Sequence, residues 1–193
     1  MVLVNNKDGT LRLCVDYRRV NAASAAEAYS LPRIDDIIDQ IGRAQYLTTI
    51  DLTKGYWQVP VASEGRHKTA FCMPFGLFEF NVMPFGLQGA PGTFQRLMDG
   101  LIRGLSSFAS AYLDDLTICS STWEEHMRHL CVILQRLRNA GLTIKVRKCQ
   151  FGMATCTYLG HVVGEGSLRP EHAKVEAIRS MPVPQTKTQL RPF

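Results

Sequence analysis

Two adjacent carboxylates, Asp114 and Asp115, interrupt the otherwise apolar run FASAYLDDLTICSS at residues 108–121. The pieces on either side are too short for helices and rich in strand formers, so they read as two β-strands. Like charges this close repel each other, and apolar flanks limit the water that could screen them. A fold built on this segment must therefore bring the pair to a place where water or a cation can reach it. Two readings stand. The pair can be the polar tip of a hairpin, although Asp-Asp lacks the Gly or Asn that two-residue turns favour. Alternatively, it can hold a divalent cation, which relieves the repulsion directly.

Asp51 extends the second reading. It closes the apolar stretch QYLTTIDL at residues 45–52. Alone, an aspartate at a strand end is ordinary. If its strand neighbours those flanking Asp114 and Asp115, the three form one carboxylate cluster. Such oxygen donors suit magnesium, a hard ion. Two such ions about 4 Å apart can activate an attacking hydroxyl and stabilise a leaving group.

Around these aspartates the chain alternates irregularly between strand and helix patterns. Residues 11–17 and 45–52 read as strands, and YWQVPV at 56–61 as a further extended piece. Residues 69–85 give two short strands joined around Gly76. Ile34, Ile37, Ile38 and Ile41 share one helical face between Pro32 and Gly42. A second helix spans 90–104, with Phe94, Leu97, Met98, Leu101 and Ile102 as its apolar stripe. A third spans about 122–140, with Met127, Leu130, Leu134 and Leu137 at helical spacing. Ser121 and Thr122 can cap it, with Glu124 at capping-box distance from Ser121, and Gly141 ends it. KCQFG and TYLGHVVGEG follow as strands, then a short helix in PEHAKVEAIRS. Without strict βα alternation, this mixture is an α+β fold.

The 193 residues, 46% hydrophobic and 20% charged, exclude a disordered chain and suit one domain, or one plus a fragment. The net charge of +5 permits a nucleic-acid partner without requiring one. Basic residues gather at Lys7, Arg12, Arg18 and Arg19, and again at Arg136, Arg138, Lys145, Arg147 and Lys148. Six cysteines show no C-x-x-C spacing and read as reduced core residues. No signal peptide opens the chain, and no apolar run of about 18 residues could span a bilayer, so a soluble intracellular protein is expected. Both ends read as cuts within a longer chain.

YLDD at Tyr112–Asp115, preceded by IDLTKGYWQV at 50–59, resembles the catalytic motifs of reverse transcriptases. The intervening MPFGLQGAPGTFQ and the later YLGHVV are similar to the gypsy class of long-terminal-repeat retrotransposons. The resemblance runs from CVDYRRVN to QLRPF. It implies a right-hand polymerase, with an antiparallel palm sheet backed by helices. Residues 1–50 would be partial fingers and their connection to the palm. Residues 51–165 would be the palm, with an inserted fingers hairpin at about 62–84 and a primer grip. Residues 166–193 would be the truncated start of a thumb or connection. The implied reaction adds deoxynucleoside triphosphates to a primer on an RNA or DNA template. Two Mg²⁺ or Mn²⁺ ions would be held by Asp51, Asp114 and Asp115. Ribonuclease H activity would belong only to a parent polyprotein. The implied location is the cytoplasm, within a virus-like particle, or the nucleus, with no membrane partner; the oligomeric state stays open.

Further roles carry over from the resemblance. Lys7 and Arg12 match triphosphate contacts, for which guanidinium donors suit. Tyr56 matches an aromatic gate against the ribose 2′-hydroxyl, and Phe85 the nucleotide-facing segment. Gln95, Tyr112, Leu159, Gly160 and His161 match template and primer contacts, the last three within the primer grip. Plain alternatives stand beside these: a core tyrosine at 56, a surface arginine at 12, an ordinary hairpin at 158–161. Two departures from the pattern are NNKDG, where Asn6 replaces a usual lysine, and Gly92 after Ala90-Pro91. A catalytically inactive nucleic-acid-binding remnant is the alternative function. An interaction domain with an acidic turn is a second.

Overall fold

A central antiparallel sheet carries both aspartate segments. In the computed structural model, which describes residues 2–5, 11–25, 28–164 and 167–181, the chain opens with β1 (Val2–Asn5), β2 (Leu11–Cys14), α1 (Arg18–Ala23) and α2 (Ile34–Gly42). It continues through β3 (Tyr46–Asp51), β4 (Phe71–Met73), β5 (Gly76–Phe78) and α3 (Ala90–Ile102). Then come β6 (Ala109–Tyr112), β7 (Asp115–Ser120) and α4 (Trp123–Asn139). The described part ends with β8 (Gln150–Met153), β9 (Thr155–Tyr158), β10 (His161–Gly164), β11 (Ser167–Pro170) and α5 (His172–Arg179). The central sheet has the order β6-β7-β3-β8. Three smaller antiparallel sheets are β1-β2, β4-β5 and β11-β10-β9. Mixed helices and antiparallel sheets confirm the α+β expectation.

Alternation along the strands divides the side chains between two cores. On one face Ile50, Leu116 and Ile118 pack against Phe94 and Met98 of α3 and Ile133 and Leu137 of α4. On the other, Leu47 and Cys119 meet Ile37, Ile38 and Ile41 of α2 and Cys156, Tyr158 and Val163 of the three-stranded sheet. Each large side chain buried this way contributes roughly 1.5–3 kcal/mol. Of the isoleucine face read from the sequence, α2 buries Ile37, Ile38 and Ile41, whereas Ile34 at its first turn is exposed.

Several elements differ from the sequence reading. YWQVPV begins as a 3₁₀ turn, Gly55–Gln58, because Lys54 (φ +54°) and Gly55 (φ +23°) reverse the chain directly after β3. Gln58 then ties that turn to the loop after α4, donating to Thr143 O at 3.0 Å and accepting from Thr143 N at 2.7 Å. The acidic pair does not form the β6–β7 turn; it straddles it. β6 ends at Tyr112 and β7 starts at Asp115, so the two-residue loop is Leu113-Asp114. The α4 stripe is half as expected: Leu137 is buried and Leu130 packs on the core, but Met127 and Leu134 are 39% and 36% exposed, and their neighbours His126 and Ile133 are buried instead. A buried histidine bonded to the sheet sets that difference. The α4 cap is Thr122, whose Oγ1 accepts from Glu125 N, one residue later than the Ser121–Glu124 box expected. Leu97 of α3 is likewise exposed, and the polar Gln95 fills the core position. Of the six cysteines, all free, only Cys119 and Cys156 are buried; Cys72 and Cys131 are exposed. The short helix α1 had no counterpart in the sequence reading.

Candidate catalytic site of three carboxylates

The β3–β7 register sets Asp51 directly across from Asp115. Directly opposed residues of an antiparallel pair have Cβ atoms about 5 Å apart on the same face. Tyr112 pairs with Asp115 from the other side, so it shares that face. Asp114 is exposed on the turn, and its carbonyl accepts from Leu52 N at 3.3 Å, which draws the turn to the end of β3. Gly55 presses on it: a Cβ there would lie 3.3 Å from the Asp114 Cβ. A third connection comes from the loop before β8, where Lys145 N donates to Asp51 O at 2.8 Å. The three aspartates therefore converge from two strand ends and one turn.

Electrostatics records that convergence. Burial, then the charges of Asp114 and Asp51, push the Asp115 carboxyl up to about 6, and Lys148 opposes the shift. Lys148 is the nearby cation. Its Nζ lies 2.9 Å from Asp51 Oδ2, and its proton is held more tightly by that hydrogen bond and by all three carboxylates. Among the described residues, no three Asp, Glu, His or Cys side chains are already arranged as a metal-holding group. The donor set nevertheless fits a hard divalent cation: three carboxylates, one of them raised by burial and then by like charge, with an ammonium drawn onto another.

The turn itself is strained and clamped. Leu113 has φ +54°, a conformation that costs a branched side chain on the order of 1–2 kcal/mol. Gln95, fully buried, holds it: Oε1 accepts from Leu113 N at 2.7 Å, and Nε2 donates to Ala111 O at 2.9 Å. Gln95 was expected to touch the template; buried beneath the turn, it supports the aspartates instead. The reason is its place on the inner face of α3, one turn after Pro91.

The remaining residues fall into three groups. Tyr56 adjoins Asp114, and Phe85 packs on Tyr56. The Tyr56 ring lies 5.3 Å from that of Phe85 and 5.5 Å from that of Phe94, and its hydroxyl is raised by burial and then by Asp114. Phe85 is 37% exposed and also meets Trp57. Leu159, Gly160 and His161 form the β9–β10 turn, with Leu159 (φ +47°) and Gly160 (φ +81°) as its central residues. Positive φ at both positions is the hairpin geometry that usually selects Asn-Gly. Leu159 and Tyr112 pack on the same core, and the Tyr158 hydroxyl is raised by burial and then by Asp115, so this turn lies on the carboxylate face. Arg12 sits apart, on the β1–β2 ribbon opposite Val4. Lys7 lies outside the described residues.

Two contributors escaped the sequence reading. Lys148 was read only as one member of a basic cluster; nothing local pairs it with a residue 97 positions away. Gly55 fell between the strand read at 45–52 and the extended piece read at 56–61, and its close approach to Asp114 is visible only in three dimensions.

Comparisons with known proteins identify the family and the fold. Residues 4–163 match the family model described as reverse transcriptase (RNA-dependent DNA polymerase). The chain is 38% identical over 183 residues to the retrovirus-related Pol polyprotein from transposon 297 of Drosophila melanogaster, covering 94% of this chain and 17% of that one. It is 35% identical over 196 residues to the enzymatic polyprotein of cauliflower mosaic virus (strain NY8153), covering 99% and 29%. The chain thus spans less than a third of these curated relatives. Among solved structures, a foamy viral protease-reverse transcriptase in complex with double-stranded DNA superposes with a TM-score of 0.92 at 24% identity, covering 98% of this chain and 33% of that one. The native prototype foamy virus enzyme superposes at 0.73 with 27% identity, covering 83% and 22%. Among the described residues no helix is long and apolar enough to cross a membrane.

Proposed function

Given that the chain belongs to the reverse transcriptase (RNA-dependent DNA polymerase) family, we propose that it is a polymerase core adding deoxynucleotides to a primer on an RNA or DNA template. The observation that carries this reading is the register that sets Asp51 opposite Asp115, with Asp114 on the adjoining turn. The family uses divalent metal ions. Here Asp51, Asp114 and Asp115 would hold two, Mg²⁺ or Mn²⁺, which when bound supply charge neutralisation at the reacting phosphate and activation of the primer hydroxyl. The chain's own part is to keep three carboxylates ionised and aligned. Gly55 leaves room for Asp114, Gln95 holds the turn, and Lys148 is the counter-cation that balances the cluster. Positioning the primer hydroxyl in line with the α-phosphate is worth several kcal/mol by itself.

Tyr56 would exclude a ribose 2′-hydroxyl, a reading supported by the effect of Asp114 on its hydroxyl and by the Phe85 ring packed against it. The β9–β10 turn would meet the primer strand, and Tyr112 its terminal nucleotide. Arg12 and Lys7 would contact the triphosphate when the β1–β2 ribbon approaches it. In the same reading the central sheet with α3 and α4 is a palm, the β1–β2 and β4–β5 ribbons belong to fingers, and α5 starts a thumb or connection. The relatives support a Pol polyprotein origin, and the gypsy class is the assignment that the MPFGLQGAPGTFQ and YLGHVV segments favour.

Metal-dependent primer extension by this chain tests the reading. Extension on primed RNA and DNA templates that ceases with chelator supports it. Salt-sensitive primer-template binding without extension would replace it with a binding remnant. Tyr56→Ala is expected to raise ribonucleotide incorporation, and unchanged sugar selectivity removes the gate.

A further inference from the structure

The clamp on the catalytic turn does not end at Gln95. An amide can sit in two orientations, oxygen and nitrogen exchanged, and only one of them presents an acceptor to the Leu113 N–H. Two acceptors enforce that orientation by claiming the nitrogen end. One is Ala111 O, at 2.9 Å from Nε2; the other is Asp99 Oδ1, at 2.8 Å. An ionised carboxylate accepts and never donates, so Asp99 discriminates the two orientations outright.

Asp99 is held in turn by Tyr29, whose hydroxyl donates to Asp99 Oδ2 at 2.5 Å. Tyr29 belongs to the connection before α2, 70 residues away in sequence, and it is seated on one face of α3. A Cβ added at Gly92 would come within 3.0 Å of the Tyr29 Cβ. The Arg96 guanidinium lies 5.2 Å from the ring centroid. Positions 92, 96 and 99 follow the i, i+4, i+7 spacing of a single helical face. Gly92, a departure from the family pattern, is thus the residue that admits this tyrosine.

We propose that Tyr29 and Asp99 are positioning residues for the catalytic turn, acting through the Gln95 amide to hold the strained Leu113 and the flanking aspartates in register. The path runs from the Tyr29 hydroxyl through Asp99 and Gln95 to Leu113 N, each link a hydrogen bond of 2.5–2.8 Å. Removing the Tyr29 hydroxyl frees the outer oxygen of Asp99. Replacing Asp99 by Asn supplies a donor that tolerates the reversed amide, which would then face Leu113 N–H with a second donor.

The inference rests on the polymerase reading for its kinetic consequence, so the test has one arm that does not need activity. Amide hydrogen exchange at Leu113 is measured in the 193-residue chain for the parent, Tyr29→Phe, Asp99→Asn and the double variant, with Ile118 in mid-strand as the internal reference. Both single variants are expected to exchange Leu113 about tenfold faster while Ile118 is unchanged. Single-nucleotide kcat is expected to fall about tenfold, with KM for primer-template within about twofold, and the double variant to be no worse than the poorer single one. Acceleration at Leu113 and Ile118 alike would overturn the proposal, since it marks general loosening. So would Leu113 exchange that stays at the parent rate, an unchanged kcat, or effects that simply add. If the parent adds no nucleotides at all, the polymerase reading fails separately, and the exchange arm alone decides whether Tyr29 and Asp99 hold the turn.

Discussion

The two ends of β3 and β7 make opposite use of buried polarity. At one end lie Asp51, Asp114 and Asp115, like charges converging around a strained turn. At the other, Thr48, Ser120, His126 and His129 form a neutral chain of hydrogen bonds beneath α4. Thr48 Oγ1 accepts from Gly152 N at 3.1 Å and shares a hydrogen bond with His126 Nε2 at 2.7 Å. Ser120 Oγ in turn shares hydrogen bonds with His126 Nδ1 at 3.0 Å and with His129 Nδ1 at 2.8 Å. His129 stacks flat on Phe108, with centroids 3.7 Å apart. These hydrogen bonds dock α4 onto the sheet. The carboxylate end is satisfied only in part, by one lysine. A stable fold tolerates such an end where charge is needed for chemistry, and the well-bonded end offsets it.

The pH dependence of the two ends has opposite sign. Burial, then the neighbouring His129, lowers the proton affinity of His126; burial also lowers that of His129. Their contribution is present above the ordinary histidine value of 6.5 and is lost as pH falls through the lower folded value. Asp115 is raised from 3.8 to about 6, so in that window the folded state binds more protons than the unfolded one. Its end is therefore more stable in acid and loses stability as pH rises from 3.8 through about 6.

Four substitutions can break or sharpen this contrast. Asp114→Asn is expected to lower nucleotide addition by about 10³-fold or more in primer-extension assays, with folding intact or slightly firmer because repulsion is relieved. His126→Ala at the other end should cost about 3 kcal/mol in urea unfolding, since it empties a core site and strands Thr48 and Ser120. Equal destabilisation by the two would erase the distinction. Asp115→Asn should stabilise the metal-free chain by about 1 kcal/mol near pH 8, a figure discounted for the solvent that still reaches the group, and by nothing near pH 4. A loss at both pH values would show that the charge is not costly. Lys148→Met should change metal-free stability least, by less than about 1 kcal/mol, because its ion pair with Asp51 is partly exposed.

How much of this the sequence disclosed follows from what periodicity can see. Apolar spacing located α2, α3 and α4, and the apolar approach to Asp51 and Asp114 placed the carboxylates at strand ends. Periodicity misjudged the buried face of α4 because His126 is buried by hydrogen bonds rather than by apolarity. It passed over Gln95 for the same reason. Lys54 and Leu113 take positive φ without being glycine, so no composition signal marked the 3₁₀ turn or the loop residue of YLDD. Lys148 reaches Asp51 across 97 residues, a pairing that only the folded sheet creates.

Manganese binding tests the central claim most directly. The free ion is followed by electron paramagnetic resonance as it is titrated into the parent chain and into an Asp51→Asn/Asp115→Asn double variant of the same fold. The parent is expected to sequester manganese and the double variant to leave it free. Equal binding by both would contradict a metal site built from these strand ends.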